Sequence, residues 1–181
     1  YEDQTVASGL ITVEDIYRFF PTPYILATAN ISGQALQQII ETNLTRVYST
    51  DIFQQVGGWA DGYAGLTINL NLANPDGSRV LSLINKGTGM AILPTDILSI
   101  TGCTRPFEIN SSSFCTNGTG FTNVTPLTNI NGGPLTAVDY IIGALTNNEN
   151  ANFPARTDVN DSNNSPVWPV SEFIQPIRGL P

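Results

Sequence analysis

Residues 9–41, GLITVEDIYRFFPTPYILATANISGQALQQIIE, decide the fold. Thr12-Val13-Glu14-Asp15 has the form of a capping box, a hydroxyl followed three residues on by a carboxylate, and so opens a helix. Ile16, Phe19 and Phe20 follow at helical spacing; Phe20 reads as that helix's last core contact, or else as a ring that flanks the proline turn together with Tyr24. Pro21 and Pro23 stop it, because proline and the residue before it disfavour helical backbone. Tyr24 to Ile31 is rich in strand formers and lies between breakers, so it predicts a strand. Ser32 then caps a second helix. Its Leu36, Ile39, Ile40, Leu44 and Val47 form one apolar stripe, and Gln37, Gln38, Glu41 and Arg46 lie off it.

Outward from this stretch the pattern changes period. Leu66, Ile68, Leu70 and Leu72 alternate with polar residues, as in a half-buried strand. Asn74-Pro75-Asp76-Gly77 predicts a turn, and Arg79 to Ile84 the paired strand. Asp96 to Thr101 reads as another strand, and residues 104–133 as a long polar loop. Thr136 to Asp139 repeats the capping-box form and opens a helix with Val138, Ile141, Ile142 and Leu145 on one face. Residues 147–166 read as loop; Trp168, Val170, Phe173, Ile174 and Ile177 suit a final docked strand. The mixture predicts an α+β fold, or α/β with a mixed sheet. The length of 181 residues suits a single domain.

Composition excludes several function classes. The formal charge is −8 with only seven basic residues, which argues against a nucleic-acid polymer or an anionic membrane as partner. No stretch approaches the ~18 apolar residues of a membrane span. The chain has no histidine, and dinuclear hydrolase sites usually take histidine among their ligands, so no metal is expected on this chain. Cys103 and Cys115 flank a Ser/Asn-rich stretch and read either as a loop-closing disulfide or as two free thiols. A disulfide would imply an oxidising compartment. Sequons occur at Asn30, Asn43, Asn110, Asn117, Asn123, Asn160 and Asn163. Asn110, Asn117 and Asn123 surround the cysteine pair and are the preferred glycosylation candidates. Secretion, or a periplasmic location, is the resulting expectation. Tyr1 stands where a start methionine would, so the beginning is expected to be a processed or cleaved end.

Residues 9–41 resemble the opening of the C-terminal domain of the 5′-nucleotidases, and also the thiosulfohydrolase branch of that superfamily. The shared order is G-x-I-T, helix, proline–aromatic turn, strand, T/S-G, and a helix ending in Glu. FQQVGGWADGYAGLTINLNL (residues 53–72), ILSITGC (97–103) and GPLTAVDYIIGAL (133–145) are similar to later segments of the same domain. The resemblance implies a partner: a calcineurin-like metallophosphoesterase domain or chain holding two divalent metal ions. Two such ions activate water and stabilise in-line displacement at phosphorus or sulfur. The C-terminal domain would position a nucleotide or related small-molecule phosphate or sulfur-oxyanion substrate between aromatic rings. The family's Asn-Gly-Gly-x-Arg segment would fall just before Tyr1. Its ring position falls on or near Thr22, and Thr119 stands where the ribose-binding Asp would be.

The candidate substrate-binding residues are Tyr24, Trp59, Asp61, Tyr63, Arg105, Phe107 and Phe121. Tyr24 flanks the proline turn. Trp59, Asp61 and Tyr63 lie in a glycine-rich segment, where backbone can approach a ligand and rings can stack; a tight turn packed on the core is the alternative. Arg105 suits an anion or a surface ion pair, and Phe107 a second stacking ring. Phe121, between Gly120 and Thr122, suits either a substrate loop or a plain turn. Glu14, Asp15, Glu41 and Asp139 are accounted for by caps and solvent faces, and no catalytic residue is assigned. Three functions follow: the substrate domain of a two-metal hydrolase, a degenerate binding module, or a structural extracellular glycoprotein.

Overall fold

The computed structural model describes residues 11–56, 61–104, 114–115 and 119–146, and the backbone of Asp158–Asp161. It forms an α+β fold of two compact units, one of residues 1–31 with 97–153, the other of 32–96 with 154–181.

In the first unit, α1 (Val13–Phe19) begins with the predicted capping box. The Asp15 amide donates to the Thr12 hydroxyl at 3.2 Å, and the Asp15 carboxylate accepts from the Thr12 amide at 2.8 Å. The Thr12 hydroxyl also donates to that carboxylate at 2.6 Å, and this bond, with the one from the Thr12 amide, holds the Asp15 carboxyl below the usual carboxylate range. Only Ile16 of this short helix is buried. Phe20 departs from expectation: it is 45% exposed. It is the C-cap, with φ −125° and ψ 67°, so the chain has already left the helical path that would carry its ring onto the Ile16 face.

β1 (Ile25–Ser32) alternates strictly, with Ile25, Ala27, Ala29 and Ile31 buried. It is the centre of a three-stranded sheet between β4 (Ile97–Thr104) and β5 (Thr122–Pro126). β5 corrects the reading of residues 104–133 as loop. It pairs antiparallel with β1, Ala27 opposite Pro126 and Asn30 opposite Thr122, with an irregularity between Thr28 and Asn30. Asn123 sits beside that irregularity at φ 53°. A polar edge strand ending in proline carries little of the alternation by which strands are recognised. The Cys103–Cys115 disulfide forms, and the Cys115 amide also donates to the Cys103 carbonyl at 2.7 Å. It seats Phe114 against Ala27 and Ala29, stacked on Phe121 with ring centroids 4.7 Å apart. A Cβ on Gly102 would stand 2.4 Å from the Phe114 ring, so glycine is required there. α3 (Ala137–Thr146) opens as predicted, with the Asp139 amide on the Thr136 hydroxyl at 3.1 Å, and packs on α1. Val138 is buried, but Leu145 is exposed rather than part of the inner face.

In the second unit, Ser32 caps α2 (Gly33–Tyr48), and the amides of Gly33 and Gln34 donate to the carbonyls of Asp96 and Pro94. The otherwise orphaned first-turn donors are thereby satisfied. The stripe Leu36, Ile39, Ile40 and Leu44 is buried as expected, while Val47 is half-buried. α2 packs on β3 (Val80–Asn85), which pairs antiparallel with β2 (Leu66–Leu70). Leu66, Ile68 and Leu70 face the core. β6 (Asp158–Asp161) adds to β2 in parallel, Ile68 opposite Val159. It corrects the reading of residues 147–166 as loop throughout. A single apolar residue in Asp-Val-Asn-Asp leaves no periodicity to read, and its pairing comes from β2. The proposed strand at residues 168–177 lies outside the described residues.

Two polar side chains knit this unit together. Arg79 is 4% exposed. Its guanidinium donates to the carbonyls of Leu44 and Tyr48 at 3.2 Å each and of Asn74 at 3.3 Å, and pairs with Asp76 at 2.6 Å. It thus places a cation on the last carbonyls of α2, where the helix dipole is negative. Glu41 is 6% exposed, against its reading as a solvent-facing residue. One carboxylate oxygen accepts the Val80 amide at 2.5 Å, so the helix fastens the start of β3. The other is buried with no partner among the described residues.

Candidate functional site

Tyr24 is the sequence candidate whose placement is most informative. The proline turn ends α1, and Tyr24 stands just ahead of β1. Its amide donates to the Thr22 carbonyl at 2.8 Å, and its carbonyl accepts from the Ala137 amide at 2.9 Å, at the first turn of α3. The backbone is held on both sides while the residue is 39% exposed. Phe20, across the same turn, is exposed as well. A fixed backbone presenting accessible rings is what a stacking contact needs, because little order has to be imposed on binding.

Phe121, in the same unit, is half-buried and stacks on Phe114, so most of its ring faces the core cluster of Ala27, Ala29 and Phe114. Asp61 and Tyr63 lie in the second unit. The Asp61 amide donates to the Asn43 side chain at 2.8 Å. Asp61 is exposed as a residue, yet partial burial of its carboxyl pushes its pKa up, with the Arg46 charge opposing. Tyr63 is half-buried, and burial pushes its phenol well above the ordinary value, the Asp61 charge adding to the shift. Asp61, Tyr63, Asn43 and Arg46 therefore form one electrostatic neighbourhood. Trp59, Arg105, Phe107, Asn110 and Asn117 lie outside the described residues.

Of the sequons, Asn123 is exposed on β5. Asn30 is part of the central strand, and the Asn43 carboxamide is engaged by Asp61. Among the described residues no group of three or more His, Cys, Asp or Glu is placed to hold a metal ion. No described helix is long and apolar enough to cross a membrane. Sequence reasoning missed Glu41 and Arg79. The residues they bond lie up to 39 and 35 positions away, and no local pattern carries that information.

A capped helix, a proline turn with outward rings and a central alternating strand in the first unit, and a helix with a buried Glu in the second, make this an α+β chain. Residues 2–100 match the family model described as 5′-nucleotidase, C-terminal domain, and the chain belongs to that family. No curated protein matches it by sequence. Among solved structures it is similar to a Staphylococcus aureus protein assigned as a 5′-nucleotidase and determined with α-ketoglutarate. That likeness has a TM-score of 0.57 and 14% identity over 83% of this chain and 30% of the other. It is also similar to a 5′-nucleotidase precursor from Thermus thermophilus, with a TM-score of 0.53 and 17% identity over 86% and 28%. At these identities the likeness is one of fold. The chain spans less than a third of the length of either structure.

Proposed function

We propose that residues 1–181 form the substrate-binding C-terminal domain of a secreted or periplasmic two-metal hydrolase of 5′-nucleotidase type. Its partner is a metallophosphoesterase domain or chain that holds both divalent ions and carries out the displacement. The substrate is a nucleotide or a related phosphate ester. The observation that carries this reading is the turn between α1 and β1 in a chain of this family: Tyr24 is accessible and its backbone is held on both sides. Tyr24, Trp59, Asp61, Tyr63, Arg105, Phe107 and Phe121 are each proposed as substrate-binding residues. The disulfide and the exposed Asn123 sequon support an oxidising, glycosylating route.

This domain's part is orientation. Holding the unreactive portion of a substrate converts its encounter with an activated water into a positioned one, which can remove several kcal/mol from a barrier. The test is nucleoside monophosphate hydrolysis by the complete enzyme carrying Tyr24→Ala. A loss of one stacking contact raises KM about tenfold with kcat less affected. Unchanged kinetics would remove Tyr24 from the site. A second reading, a binding module without activity, is favoured by Thr22 and Thr119 at positions where the family resemblance implies a ring and a carboxylate. It predicts no hydrolysis by the complete protein.

A further inference from the structure

The second unit carries a groove that the proposed function does not use. It has a volume of about 920 Å³, within the range of ligand clefts. One wall is a face of α2 on which Gln34, Gln38 and Glu41 recur at helical spacing. Arg46 and the segment carrying Phe53 and Gln54 also line it.

Two features of the lining bear on what the groove can take. Glu41 lines the groove, and its second carboxylate oxygen is buried with no hydrogen-bond partner among the described residues. With its first oxygen on the Val80 amide and its second out of reach of solvent, Glu41 gives the wall a carboxylate and no open acceptor. Phe53 is 90% exposed, yet its loop is tied down. The Phe53 amide donates to the Asp51 carboxylate at 2.9 Å, the Gln54 amide to the Asp51 carbonyl at 3.0 Å, and the Val56 amide to the Arg46 carbonyl at 3.0 Å. An apolar ring is therefore held in water beside a polar wall.

The chemistry of the wall selects among ligands. Carboxamides both donate and accept, as vicinal hydroxyls do, while Arg46 donates only. The lone ring matches the C–H face of a pyranose. An anion would meet Glu41 and a chain of net charge −8. A wholly apolar ligand would bury the amides unpaired. We propose that this groove binds a neutral saccharide of one to a few hexose units, stacked on Phe53 and hydrogen-bonded by Gln34, Gln38 and Arg46. The inference stands apart from the hydrolase reading.

The test is calorimetric and NMR titration of the full chain with cellohexaose, maltohexaose and mannohexaose, with adenosine and inorganic phosphate in parallel. At least one hexasaccharide binds saturably, with shifts confined to α2 and residues 51–56. Phe53→Ala, at an exposed position that leaves the fold intact by circular dichroism, weakens that binding about tenfold. Arg18→Ala, on α1, leaves it unchanged. No saturation by any hexasaccharide at about 10 mM, affinity indifferent to Phe53→Ala, or preference of the same groove for adenosine or phosphate would each overturn the proposal.

Discussion

Replacing Arg79 by alanine tests the packing of the second unit most severely. The guanidinium is 4% exposed and serves three carbonyls and one carboxylate, so four acceptors lose a donor at once. Removing one partner of a buried charge pair costs about 3–5 kcal/mol. Here Asp76 is 36% exposed at its side chain and keeps the Ser49 hydroxyl at 2.6 Å, so it is not stranded. The lower end, about 3 kcal/mol, is therefore expected. It is a large share of the 5–15 kcal/mol typical of a folded domain, and for a chain of this size it lowers Tm by roughly 6–12 °C. The assay is urea denaturation of the oxidised protein, with hydrogen exchange at the α2 amides to localise the effect. Arg79→Lys keeps the charge but not the planar fork and is expected to fall in between. Arg18→Ala is the control: its pair with Glu14 at 2.6 Å is exposed on both sides and contributes less than about 0.5 kcal/mol. An Arg79→Ala effect no larger than that of Arg18→Ala would refute the reasoning.

Glu41→Ala removes the acceptor of the buried Val80 amide and destabilises by about 1–3 kcal/mol, while Glu41→Gln retains an acceptor and costs less; equal losses in chemical denaturation would contradict the hydrogen-bond account. Gly102→Ala drives a methyl into the Phe114 ring and costs about 1–3 kcal/mol, read as a shifted midpoint. Combining it with Phe114→Leu should recover part of that loss, and simple additivity would mean the clash is not the cause. Asp61 has a raised folded pKa, so the native state binds its proton more tightly than the unfolded chain. Its contribution to stability is present at low pH and falls as pH rises from the ordinary carboxylate value through the raised one. Because the residue is exposed, Asp61→Ala changes stability at neutral pH by less than about 0.5 kcal/mol and flattens that part of the pH profile; an unaltered profile would show that the shift is absent.

The helix–strand–helix of residues 12–48 was legible because each boundary is local: Thr12 with Asp15, the two prolines, and Ser32 ahead of the Leu36–Leu44 stripe. β5 and β6 were not, since both are polar edge strands whose existence depends on β1 and β2. Phe20 misled because apolar spacing does not report where a seven-residue helix stops. Glu41 lay off the stripe by sequence, and only the Val80 amide explains its burial. In the candidate site, Tyr24 was placed by the proline turn. Phe121 was legible as an aromatic beside a glycine, but its stacking on Phe114 depends on a disulfide that draws Cys103 and Cys115 together.

The central claim is that this domain serves a two-metal hydrolase. Native mass spectrometry of the protein purified under non-denaturing conditions from its source, with metal analysis of the same sample, tests it most directly. The account predicts a His- and Asp-rich metallophosphoesterase region, on the same chain or a tightly bound one, with two divalent ions and phosphate-ester hydrolysis in the same fraction. A species that carries this domain with no such region, no metal and no hydrolase activity would contradict it.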